Sequence, residues 1–282
     1  MPNSSNMRTG GRILVDQLKI HNVDTAFCVP GESYLAALDA LHDTPEIRLL
    51  TCRHEANAAN MAEAYGKLTG RPGICFVTRG PGACHAVVGL HTAFQDSSPL
   101  VLFVGQVGRE MMEREAFQEM DFRRFFGQVS KWSAEIQDPG RIPELVSQAF
   151  HVATSGRPGP VVLSLPEDML RALSGVGDAK AYRGVQAHPG PDDMAQLREM
   201  LAAAKRPVMM LGGGTWTPKA VADITAFAEA NNLPVSCAFR NQDRFDNYHE
   251  NYVGEVGIGS NPALIARLKE TDLLLAVGPR LG

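Results

Sequence analysis

The chain has 282 residues, with 27 Lys and Arg against 31 Asp and Glu, for a net charge of −4. That length suggests about two domains, each large enough to bury its own core. The absence of a basic surplus or basic block excludes generic nucleic-acid binding, and apolar runs no longer than Pro99 to Val104 or Leu273 to Val277 exclude a bilayer-spanning helix of roughly 20 residues.

In chain order, Met1-Pro2-Asn3-Ser4-Ser5-Asn6 is polar and lacks the apolar stretch of a secretory leader, which predicts a cytoplasmic protein. Gly11 to Asn22 reads as an amphipathic helix, Thr25 to Val29 as a buried strand, Pro30 to Ser33 as a turn and Tyr34 to His42 as a helix. The same unit then repeats: strand Ile47 to Thr51, helix Glu55 to Leu68, strand Gly73 to Thr78, helix Gly82 to Phe94, strand Pro99 to Val104. A further helix, Arg141 to Thr154, and strand, Gly159 to Leu165, complete the series. Continuous apolar strands alternating with helices predict an α/β fold, a parallel sheet flanked by helices on both faces. Ala172 to Pro191 is rich in Gly and Pro with no sustained periodicity and reads as a linker. Helices Asp193–Ala204, Lys219–Asn231 and Pro262–Lys269 then alternate with strands Pro207–Leu211, Val235–Phe239 and Asp272–Val277. The expected organisation is a domain over 1–171, a linker over 172–191, and a second, incomplete doubly wound α/β domain over 192–282, cut short at Gly282.

The five cysteines form no C-x-x-C pair and most lie in apolar segments, so buried, reduced thiols are expected. His54-Glu55 lacks the second His of a zinc-binding H-E-x-x-H helix, and the chain contains no G-x-S-x-G, no G-x-x-x-x-G-K-[ST] and no G-x-G-x-x-G. No metal-ligand set is identified. What remains is a series of strand-end loops, where ligands of open α/β sheets bind. The sharpest runs from Thr51 through Arg53-His54-Glu55 into an alanine-rich helix. From its position alone Glu55 has two readings: an acid complementing the helix dipole, or a functional carboxylate.

Eight strings occur in order over roughly 130 residues: Val29-Pro30-Gly31-Glu32, Arg53-His54-Glu55-Ala56, Ala62-Glu63-Ala64-Tyr65-Gly66, Gly73 to Ala83 with Thr78-Arg79-Gly80-Pro81-Gly82, Asp96-Ser97-Ser98-Pro99, Gly105-Gln106, Ala116-Phe117-Gln118-Glu119 and Arg157-Pro158-Gly159-Pro160-Val161. Together they resemble the N-terminal pyrimidine-binding domain of thiamine diphosphate enzymes of the acetolactate synthase type. The segment after the linker resembles that family's central domain.

The resemblance implies that Glu55 hydrogen-bonds N1′ of the cofactor's aminopyrimidine and stabilises the imino tautomer, whose 4′-nitrogen removes the thiazolium C2 proton. The activated cofactor then attacks a 2-keto acid carbonyl and carbon dioxide leaves. It further implies that Pro30, Gly31, Thr78, Gly80, Pro81, Gly82 and His85 line the cofactor, His85 standing where the family commonly has Asn, and that Phe117 and Gln118 face the substrate. By the same resemblance the protein is a homodimer or homotetramer, and Mg²⁺ with the diphosphate is held by a separate domain bearing a G-D-G motif. No Gly-Asp-Gly occurs here, so this fragment alone is expected to be inactive. Glu167 stands where acetolactate synthases carry Lys. Phe239 to Asn247 replaces the Gly/Met-rich stretch of flavin-binding members, whereas Gly278-Pro279-Arg280 resembles their flavin-side loop, so FAD binding stays open. The expected function is that of the N-terminal part of a thiamine diphosphate-dependent 2-keto acid decarboxylase or carboligase. Two other readings remain: a non-catalytic or split-subunit module completed by a partner, and a flavin- or nucleotide-binding α/β protein without thiamine chemistry.

Overall fold

A computed structural model describes residues 7–185, 187–214 and 216–281; the polar Met1–Asn6 segment and Gly282 lie outside them. The chain divides into two compact units, Met1–Val185 and Gln186–Gly282. The first runs β1 (Arg8–Thr9), α1 (Gly10–Ile20), β2 (Thr25–Cys28), α2 (Leu35–His42), β3 (Arg48–Thr51), α3 (Glu55–Thr69), β4 (Gly73–Val77), α4 (Gly80–Asp96), β5 (Leu100–Gln106), α5 (Phe122–Phe126), β6 (Trp132–Glu135), α6 (Ile142–Thr154), β7 (Pro160–Pro166), α7 (Glu167–Arg171) and β8 (Leu173–Ser174).

Six of these strands form a wholly parallel sheet of order β3-β2-β4-β5-β7-β6. The expected burial on both faces is met residue by residue. Ile74, Phe76, Val101, Phe103, Val161 and Leu163 point into one core with α1, α2 and α6; Cys75, Val77, Leu100, Leu102, Val104 and Val162 point into the other with α3, α4 and α5. Adjacent strand residues thus feed opposite cores, which is why the strands carry no polar alternation. In the first core the rings of Phe76 and Phe103 stack at 4.7 Å.

The two helices that matter most for the site, α3 and α4, pack closely because their facing residues are small. Ala58, Ala59 and Ala62 of α3 are buried against Ala83, Ala86, Gly89 and Ala93 of α4. A Cβ at Gly89 would fall 2.5 Å from the Ala59 Cβ. Helix α3 ends at Gly70 in the left-handed conformation, φ 69°, the backbone state that glycine adopts without strain.

Besides the two-residue β1 and β8, two strands escape the sequence reading. The edge strand β6 mixes Trp132, Ser133, Ala134 and Glu135, all half-buried, and so carries no apolar run. In the second unit, made of α8 (Pro191–Ala203), β9 (Pro207–Leu211), α9 (Pro218–Asn231), β10 (Val235–Ala238), β11 (Tyr252–Val256), α10 (Pro262–Lys269) and β12 (Leu273–Val277), β11 is interrupted by Gly254 at φ 114° and pairs with β10 through an irregular register. The second sheet, β11-β10-β9-β12, is parallel throughout. Its direction of winding reverses between β9 and β12, and the loops that follow these two strands meet: a Cβ at Gly213 would lie 2.4 Å from the Gly278 carbonyl oxygen.

The cysteine expectation holds for Cys28, Cys75 and Cys237, which are buried; Cys52 is half-buried and Cys84 exposed. The correction at Cys84 is geometric. Helix α4 turns Ala83 and Ala86 toward α3 and so turns Cys84 and His85 outward.

The first half of the stretch read as a linker folds onto the first unit. Strand β8 pairs antiparallel with β1, Arg8 opposite Ser174 and Thr9 opposite Leu173. The Arg8 guanidinium bonds Asp16 at 2.6 Å, Asp178 at 2.8 Å and the Val176 carbonyl at 2.9 Å. Arg8→Ala is therefore expected to speed proteolytic nicking within 172–185, some 165 or more positions away in sequence, as the segment loses its anchor. Limited proteolysis with mass mapping checks this, and an unchanged cleavage pattern would show that the strand pairing suffices without the side chain.

Candidate active site

The winding of the first sheet reverses between β2 and β4, since β3 lies to one side of β2 and β4 to the other. The crevice beyond the carboxyl ends of such a strand pair is where open α/β sheets bind ligands. The loop after β2 brings Pro30-Gly31 there and the loop after β4 brings Thr78-Arg79. The N-termini of α3 and α4 add Glu55 and the Gly80-Pro81-Gly82 run.

These segments are fitted to one another. A Cβ at Gly31 would stand 2.5 Å from the Thr78 Cβ, and one at Gly82 would stand 3.0 Å from Thr78 Cγ2 and 3.4 Å from Glu55 Oε1. Gly31 is thus required by close approach, whereas a Cβ at Gly82 would press on the Thr78 methyl beside Glu55. Thr78 Oγ1 and Ser33 Oγ share a hydrogen bond of 3.0 Å, tying the loop after β4 to the one after β2. The Gly80 N–H donates to the Gln118 carbonyl at 3.0 Å, so the loop bearing Gln118 is fixed to the start of α4. Gln118 itself has φ 64°, a costly state for a side chain with a Cβ.

Glu55 opens α3, with His54 as its N-cap: the His54 Nδ1 accepts the Ala56 N–H at 3.1 Å. The Glu55 side chain is 12% exposed, and its Oε2 accepts a 2.9 Å bond from Nδ1 of His85, which is 52% exposed. Oε1 accepts no hydrogen bond among the described residues and faces Gly82. The negative charge at Glu55 is felt beneath the site. Burial first, then Cys28, Cys75 and Glu55, push the Tyr34 phenol well above its ordinary range, and burial first, then Cys28, Cys52 and Glu55, do the same to the Cys75 thiol. Tyr34 stays protonated and donates to the Val29 carbonyl, bracing the loop that carries Gly31.

The donor atoms of His54, Glu55 and His85 lie within 4.8 Å of one another. Both Nδ1 atoms are engaged, however, and the two imidazoles stack at 4.5 Å with planes 29° apart. Stacked rings direct their in-plane lone pairs side by side, an arrangement suited to hydrogen bonding more than to convergence on one ion.

The structure therefore brings Glu55, Gly31, Thr78, Gly80, Gly82, His85 and the Gln118 backbone into one crevice. Pro30 and Pro81 are exposed beside it, and Phe117 holds its ring in solvent, 76% exposed. Sequence reasoning missed two partners, Ser33 and the capping role of His54, and singled out Glu167 without foreseeing its pairing. Ser33, wholly buried, carried no signal beyond its place in the turn. His54 could have been found as the cap preceding a helix-initiating acid. Glu167 forms a 2.6 Å ion pair with Arg79, so this acid meets a cation supplied from the site's own loop.

The crevice fits the aminopyrimidine end of thiamine diphosphate: a half-closed carboxylate with one oxygen unengaged, bordered by Gly82, whose Cβ would stand 3.4 Å from that oxygen. Comparison with known proteins agrees. Residues 8–125 match the thiamine pyrophosphate enzyme N-terminal TPP binding domain, and residues 194–282 the central domain of the same enzymes. The chain is 35% identical over 277 residues to the acetolactate synthase large subunit of Corynebacterium glutamicum, covering 96% of this chain and 44% of that one. It is 34% identical over 275 residues to the acetolactate synthase isozyme 2 large subunit of Escherichia coli K12, covering 96% and 49%, and 34% identical over 289 residues to an acetolactate synthase of Arthrospira platensis, covering 96% and 49%. The chain spans about half the length of the curated relatives it matches. With both domains matched, the chain belongs to the thiamine pyrophosphate enzymes, of which it carries the N-terminal and central domains.

Proposed function

We propose that the full-length protein is a thiamine diphosphate-dependent 2-keto acid decarboxylase or carboligase in which Glu55 is the catalytic residue of this chain. The observation that carries the reading is the Glu55 carboxylate, closed from water on most sides and presenting Oε1 to the crevice between Gly31, Thr78 and Gly82. When bound, thiamine diphosphate supplies the electron sink for the pair left behind by departing carbon dioxide. The protein's share is proton handling and geometry. Glu55 holds a proton at the pyrimidine ring nitrogen. Gly31 and Gly82 admit the flat ring, Pro30 and Pro81 border it, and the Ser33–Thr78 bond keeps the two loops in register. Gln118, pinned to Gly80, and Phe117 form the substrate side.

The diphosphate and Mg²⁺ belong to a domain with a Gly-Asp-Gly motif, which these residues lack; a homodimer or homotetramer would bring that domain from a second subunit. The Gly212–Gly214 and Gly278–Arg280 loops, which meet at Gly213 and Gly278, would offer FAD its place. Among the described residues no helix is long and apolar enough to cross a membrane, and the five free thiols support a reducing compartment, the cytoplasm. The test is carbon dioxide release by the full-length protein with thiamine diphosphate, Mg²⁺ and a panel of 2-keto acids. Turnover that depends on the cofactor supports the reading; none with any keto acid would favour the non-catalytic module.

A further inference from the structure

We infer that His85 is a positioning residue for Glu55 and the route by which its carboxylate exchanges protons with solvent. The inference rests on the function proposed above, but the contact behind it belongs to this chain alone. A carboxylate is acceptor-only, so the 2.9 Å contact assigns the proton to His85 Nδ1. That bond occupies Oε2 and leaves Oε1 aimed past Gly82. The two oxygens therefore have separate tasks, one held and one presented.

The exposures give the second half of the argument. Glu55 is nearly closed from water, and a ring lying over the crevice would close it further. His85 is half-exposed, and it is the only titratable side chain hydrogen-bonded to Glu55 among the described residues. Imidazole is the side chain suited to passing protons near neutral pH. The exchange balances without another reagent. His85, protonated on both nitrogens, gives its Nδ1 proton to Oε2 and is left as the neutral Nε2–H tautomer. In reverse, Nδ1 takes the Oε2 proton while Nε2 releases its own to water.

The His54 ring, stacked on His85 at 4.5 Å, fixes the imidazole plane. Its own Nδ1 is committed to the Ala56 N–H, so it orients His85 without competing for the proton. Cys84, next to His85, is turned toward Met120, 4.0 Å between sulfurs, and stays out of the exchange. Tyr34 and Cys75, which feel the Glu55 charge from below, are held protonated by burial.

Asn and Ala separate the two roles, because Asn keeps a donor near Oε2 but carries no exchangeable charge. In the unliganded protein with ¹⁵N-labelled histidine, the His85 signal, identified by its loss in His85→Asn, is expected as the Nδ1–H tautomer. Glu55→Ala should convert it to a fast-exchanging mixture; an identical spectrum would overturn the contact. In the full-length protein, His85→Ala should lower kcat roughly ten- to a hundredfold and raise the cofactor Kd, whereas His85→Asn should restore the Kd and leave kcat low. Added imidazole should recover kcat in His85→Ala. Parental kcat in His85→Asn, or no recovery by imidazole, would overturn the proton route. If the parent protein shows no cofactor-dependent turnover, the proposed function fails, and with it the exchange role, while the labelled-histidine result still decides the contact.

Discussion

Glu55→Gln in the full-length protein is expected to cut cofactor-dependent turnover by about 10²- to 10⁴-fold, the range ascribed to a positioned acid–base group, with little change in thermal stability. The two expectations have one cause. Glutamine has the shape of glutamate, and its amide oxygen can accept the His85 Nδ1–H as Oε2 does, so helices α3 and α4 remain in place. What is lost is the ability to carry a proton at the oxygen facing the crevice. Steady-state decarboxylation rates beside matched melting curves measure both quantities. Turnover close to the parent's would sink the assignment of Glu55. A collapse in stability would show that the charge serves the fold rather than the chemistry.

The second large effect runs against intrinsic helix preference. Replacing a mid-helix glycine with alanine ordinarily stabilises by roughly 1 kcal/mol. Gly89 lies in the middle of α4, and there the added methyl would meet the Ala59 Cβ at 2.5 Å, the Ala59 carbonyl carbon at 2.6 Å and the Asn60 nitrogen at 2.8 Å. Two of these are backbone atoms that cannot swing aside. Overpacking of this kind costs about 1–3 kcal/mol, enough to cancel the helix gain and leave Gly89→Ala destabilised in urea titration. Because α3 carries Glu55 and α4 carries His85, prising the helices apart also lengthens the bond between them, and the labelled-histidine signal should shift in the same variant. A stabilised Gly89→Ala protein would mean that the helices are not in close contact.

Much of the fold was legible because its determinants are local. The apolar runs over 25–29, 73–78 and 99–104 read as strands from their own composition, and the alanine series from Ala56 to Ala64 reads as a helix in the same way. Glu55 was legible for the same reason: it follows a strand and opens a helix, and the family strings around it are contiguous. Its partners were not. The Arg79–Glu167 pair joins positions 88 apart, and nothing in either segment foretells that β5 alone separates β4 from β7. His85 was noticed only as a departure from Asn; its bond to Glu55 depends on how near α4 comes to α3, which Ala59 and Gly89 set jointly. Strands β6 and β11 were missed because an edge or irregular strand needs no apolar run.

The pairing of β1 with β8 has a mechanical consequence. Residues 8–9 and 173–174 enclose nearly the whole first unit between them, and Arg8 reaches across to Asp178. A chain with two loose ends can fray from either one separately. Here the ends are laid against each other, so peeling back the entry strand also releases the exit strand. The two frayings become a single opening event, with one free energy rather than two.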